Sequence, residues 1–136
     1  MTVIQRVATI SGVIFVLVSL TGFTPIGMGV MQMDHSGSSM LLGMFPVNAL
    51  HNVVHMLFGI WGLWAGRTAA RSLTYALGSG AAYLLLGVFG LFTDSLLGIV
   101  PIGGYDVYLH LGLAVVLAGF GFWTMWFAPE SQPAKA

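Results

Sequence analysis

Four side chains in this chain have the types and spacing for chemistry. His51 and His55 stand four residues apart, and Asp106 and His110 repeat that interval. Residues at i and i+4 of a helix lie on one face, one above the other. Two imidazoles so placed can ligate one metal ion. Three readings fit. One is a hydrogen-bond network joining helices, each interhelical bond contributing ~0.6–2 kcal/mol. Another is axial ligation of a haem b or of a chlorin magnesium by His55 and His110. The last is a transition-metal or proton-relay site built from His51, His55, Asp106 and His110. The zinc-protease motif is absent, because Asn52 stands where its general-base glutamate belongs. Asp106 also suits a plain role as N-cap or first-turn acid of its helix.

A second candidate is the stretch holding Met28, Met31, Met33, His35 and Met40. Thioether sulfur and imidazole suit copper, Cu(I) above all. The competing reading is plastic apolar filler lying along a membrane interface. P-loop, GxSxG and dinucleotide fingerprints are lacking.

The elements that must position these residues are apolar. Charged residues make up 6% of the 136, against about 25% in a soluble domain, and mean hydropathy is +0.94. Four runs of membrane-spanning length follow one another: Val7–Phe23, Pro46–Ala65, Leu73–Phe92 and Tyr105–Phe127. No small-x-small cleavage site follows the first, so it reads as a retained helix. The expected fold is all-α, a single four-helix transmembrane domain, with an outer Met/His-rich loop at 24–45 and a mobile tail at 129–136. Pro46 is expected in the first turn of the second helix. Four basic residues and zero formal net charge leave nothing to neutralise a phosphate backbone, which argues against nucleic-acid binding. With no cysteine, thiolate sites and disulfides are excluded.

On the second helix, Asn48, His51, Asn52, His55, Gly59, Gly62 and Gly66 share an arc of about 100°. Polar and small residues in membranes face the bundle interior. The third helix offers Ala76, Gly80, Tyr83 and Gly87, a wall expected to receive that glycine stripe. Arg6, Arg67, Arg71 and Lys135 all fall on one side of a four-span topology, so the positive-inside rule places both termini in the cytoplasm. Trp61, Trp64, Trp123 and Trp126 lie near the same side, as an interfacial belt does. The halves also echo each other: Pro46 precedes His55, and Pro101 precedes His110, by nine residues. A duplicated two-helix hairpin would set His55 and His110 at equal depth.

The segments Phe45-Pro46-Val47-Asn48-x-x-His51-Asn52-x-x-His55-x-x-x-Gly59 and Pro101-x-Gly103-Gly104-x-Asp106-x-x-x-His110 resemble an uncharacterised bacterial family of small four-helix inner-membrane proteins, a domain of unknown function. The resemblance covers most of the chain. It implies a bacterial inner (plasma) membrane location and the four-span topology, and it implies no activity. The Met/His-rich insertion after the first span departs from the family pattern.

The functional expectation is a non-enzymatic integral membrane protein surrounded by lipid bilayer. It would be an accessory subunit packing with other integral membrane proteins, or with itself, in a respiratory, photosynthetic or transport complex. The alternative is a carrier of haem b, chlorin or copper using His51, His55 and His110. A small transporter is a further class.

Overall fold

The computed structural model describes residues 1–24, 39–41 and 43–127. Met28, Met31, Met33 and His35 of the methionine-rich stretch, and the tail 129–136, lie outside the described residues.

Among the described residues, four helices carry the fold: α1 (Val3–Gly22), α2 (Ala49–Ala65), α3 (Ala69–Gly90) and α4 (Tyr105–Phe127). Two small antiparallel ribbons separate them pairwise. Strands β1 (Ser39–Leu41) and β2 (Phe45–Val47) precede α2, and β3 (Ser95–Leu96) and β4 (Val100–Pro101) precede α4. The order helix–ribbon–helix therefore occurs twice. Pro46 and Pro101 occupy equivalent places, opposite Met40 and Ser95 in their ribbons.

Local chemistry sets the helix ends. A capping box starts α1 at Val3 rather than Val7: Gln5 N–H donates to Thr2 Oγ1, and Thr2 N–H donates to Gln5 Oε1 at 2.9 Å. Asn48 caps α2, accepting from His51 N–H at 2.9 Å. Pro46 thus lies in a strand, outside the helix expected to contain it. Thr68 caps α3 four residues earlier than expected, whereas α4 has the expected bounds.

Helices α1, α3 and α4 are long and apolar enough to cross a membrane. Helix α2, at 17 residues, is not. It rises about 26 Å against a hydrocarbon thickness of about 30 Å, because β2 consumes the residues that would have lengthened it.

Packing is by pairs, α1 on α2 and α3 on α4. Glycine brings each pair close. A Cβ on Gly12 would stand 2.6 Å from Leu63 N and 2.9 Å from Gly59 O, both backbone atoms. A Cβ on Gly80 would stand 2.8 Å from Ala118 N. The glycine stripe of α2 therefore meets α1, where Gly59 faces Val16, Gly62 faces Ala8 and Gly66 faces Thr9. The stripe of α3 meets α4, Gly87 against Leu111. This corrects the expected pairing of the two stripes with each other. The signal that was missed is Gly12 in α1.

Polar groups tie α1 to α2 at both ends. Ser19 Oγ donates to Asn52 O at 2.7 Å and Asn52 Nδ2 to Gly22 O at 2.9 Å, while Gln5 Nε2 donates to Gly66 O at 3.2 Å at the other end. The buried core between the pairs comprises Ala8, Phe15, Ala65, Tyr75, Tyr83, Ala114 and Leu117. Ile10, Leu57, Leu85 and Val115 project outward and are exposed.

Candidate metal centre beneath the ribbons

Capping by Asn48 places His51 in the first turn of α2 and His55 one turn further on the same face. Asp106 and His110 occupy the corresponding turns of α4. Helices α2 and α4 are not a close-packed pair, and the imidazoles fill the space between them. His51, His55 and His110 are 3%, 7% and 2% exposed, and Asp106 is 1% exposed. One ligand nitrogen from each of the three histidines lies within 4.8 Å of the others.

The shortest approach is His51 Nε2 to His55 Nε2, 3.2 Å. Neutral imidazoles in such contact need one N–H and one bare nitrogen. Their rings are nearly perpendicular, at 83°, with centroids 4.5 Å apart. His110 lies almost parallel to His51, at 17° and 6.2 Å. The Asp106 carboxylate Oδ2 stands 3.3 Å from His110 Nδ1, which leaves Nε2 of that ring free. That approach is an ion-pair distance without hydrogen-bond geometry. His51 faces the backbone carbonyls of Pro101 and Pro46, although its Nδ1, like that of His55, makes no aligned hydrogen bond among the described residues.

An aromatic wall closes the cluster on its core side. Tyr83 stacks on His110 (5.3 Å, 20°), Phe15 stacks on Tyr83 (5.5 Å, 23°), and Phe15 lies 5.7 Å from His55. Phe15 was invisible as a site residue, being one aromatic among many in an apolar run. Asn52 shares the helical face of the histidines but turns to α1, and Gly59, Gly62, Gly66, Gly80 and Gly87 serve helix approach.

Among the described residues, no hydrogen bond links a histidine of α2 to a group on α4. The polar approaches run along each helix, His51 to His55 and Asp106 to His110. The network joining helices, one of the readings of these residues, therefore has no bond across the interface it would join. Three imidazoles converge there from two elements instead.

Comparison with known proteins adds the family. No curated protein and no solved structure matches the chain significantly. The match with a domain of unknown function, DUF4383, runs over residues 5–123 and so takes in all three histidines, Asp106 and both ribbons. The chain belongs to that family.

Proposed function

We propose that this protein is a membrane-embedded metal-binding protein. His51, His55 and His110 hold one late transition-metal ion, and Asp106 orients His110 from behind. The convergence of three buried ligand nitrogens within 4.8 Å, drawn from two helices, carries the reading. Two nitrogens bound at ~2.0–2.1 Å to one tetrahedral ion stand about 3.3–3.4 Å apart. The His51–His55 separation of 3.2 Å is already close to that. Imidazole ligands suit zinc, copper, iron and nickel. A carboxylate behind a ligating histidine fixes its tautomer and ring orientation. Three protein ligands leave a fourth position open for exchange.

The packing favours a bare ion over haem b or chlorin. A macrocycle between His55 and His110 needs a flat slot. Here His51 Nε2 stands 3.2 Å from His55 Nε2 and the ring of Tyr83 covers His110.

In this reading all four helices cross the bilayer. Polar links at both ends of α1 to α2 support a full crossing by the shorter helix. Arg6, Arg67 and Arg71 gather at the end opposite the ribbons, so the positive-inside rule assigns that end and both termini to the cytoplasm. The histidine cluster then lies in the outer half of a bacterial plasma membrane. A subunit role in a larger complex rests on exposed apolar faces alone, which lipid covers equally well. The repeated helix–ribbon–helix order supports descent from a duplicated hairpin.

The test is metal content. Full-length protein purified in mild detergent, equilibrated with Zn(II) or Cu(I) and desalted, is expected to retain about one ion per chain. Retention is expected to be weakened in each of His51→Ala, His55→Ala and His110→Ala and lost in the triple variant. A protein that takes up no ion overturns the reading, as does undiminished uptake by the triple variant. A Soret or chlorin band lost in His55→Ala and His110→Ala would establish the macrocycle instead.

A further inference from the structure

A cleft of about 780 Å³ opens between the two ribbons, and Met40, Met44, Asp94, Pro46, Asn48 and Pro101 are among the residues that line it. The carbonyls of Pro46 and Pro101 are the groups that face His51. The cleft and the histidine cluster therefore share the backbone of Pro46 and Pro101. Among the described residues, the core side of the cluster is aromatic. Phe15 and Tyr83 close the core side, and beyond the helices lies lipid, which an ion crosses only at high cost.

We infer that this cleft is the port through which a Cu(I) ion enters and leaves the histidine cluster, with Met40 and Met44 as its capture ligands. The inference rests on the histidine-site reading and names its ion and its route. Met40 and Met44 flank the tight turn of the first ribbon, where Gly43 has φ +70° and its N–H donates to Met40 O at 3.3 Å. Met44 is exposed. Thioethers bind Cu(I) well and Zn(II) poorly, and the Asp94 carboxylate adds a negative charge that holds the cation near the mouth. Asn48 joins the two ribbons across the cleft. Its Oδ1 accepts from His51 N–H at 2.9 Å while its Nδ2 donates to Ile99 O at 2.7 Å. Parting that second bond would loosen one tie between the ribbons and leave the cap of α2 in place. Passage is ligand exchange only: the ion leaves sulfur for imidazole nitrogen, and no electron moves.

A port lies on the path and not in the bound state, so closing it slows entry and exit alike. Full-length apo protein in lipid nanodiscs, offered Cu(I) as its bathocuproine complex without oxygen, reports uptake by loss of chelate colour. Excess chelator then reports release. Met40→Leu with Met44→Leu is expected to slow both by about tenfold, leaving the amount bound and the Zn(II) uptake rate unchanged. Ser95→Trp, which narrows the cleft, is expected to slow both ions. Cu(I) rates unaltered by either variant overturn the port while leaving the histidine site standing. Loss of Cu(I) bound at equilibrium in the methionine variant also overturns it, by making those sulfurs the site itself. Wild-type protein that binds neither ion overturns the histidine reading and this inference with it.

Discussion

Asp106 Oδ2 stands 3.3 Å from Nδ1 of His110, with both side chains buried one turn apart on α4. A small rotation that aligned that carboxylate with Nδ1–H would hold the tautomer that presents Nε2 to a metal ion. Asp106→Asn is therefore expected to weaken metal affinity by ~10–100-fold while leaving the stoichiometry at saturation intact. Competition titration against a chromophoric chelator measures it. Unchanged affinity would mean that Asp106 serves only the helix end.

Tyr83 stacks on His110, yet its hydroxyl is buried and lacks a hydrogen-bond partner among the described residues. Tyr83→Phe keeps the ring and removes that polar atom. Leaving a buried hydroxyl unsatisfied costs ~1–3 kcal/mol, so the variant is expected to melt at or above the wild-type temperature in detergent. A marked loss of stability would show that the hydroxyl has a partner in solution.

Gly12 and Gly112 make a matched contrast. A Cβ on Gly12 runs into the backbone of α2, whereas a Cβ on Gly112 meets nothing within 4 Å. Gly12→Ala is expected to cost ~1–3 kcal/mol by overpacking the α1–α2 seam. Gly112→Ala is expected to be neutral or to stabilise by up to ~1 kcal/mol, since glycine is a poor residue within a helix. Chemical unfolding in mixed micelles orders the two variants, and equal effects would refute the close approach of α1 and α2.

Asn48 has two tasks, capping α2 and bonding Ile99 O. Asn48→Asp keeps the capping oxygen and loses the donor, whereas Asn48→Ala loses both. The alanine variant is expected to be less stable than the aspartate by about 1 kcal/mol, the usual value of an N-cap. Thermal melts of the two variants compare them directly.

The presence of four apolar helices was legible because low charge and runs of spanning length leave little else for such a chain to build. Their ends were less so. The Thr2–Gln5 capping box and the Asn48 cap are short local patterns, and Pro46 suits a helix start as well as a strand, so the ribbon went unseen. A common depth for His55 and His110 could be read from the repeated proline-to-histidine interval. Which faces pack together could not. Glycine and alanine recur along α1, α2 and α3, any two such stripes can approach, and only the whole bundle decides that Gly59 meets α1. The wall of Phe15 and the carbonyls of Pro46 and Pro101 that face His51 follow from tertiary placement and leave no mark in spacing.

X-ray absorption on protein loaded with one equivalent of Zn(II) tests the central claim most directly. The account expects imidazole nitrogens at about 2.0–2.1 Å from the ion, three in the wild type and two in His110→Ala. Spectra without imidazole scattering, or identical for the two proteins, would contradict it.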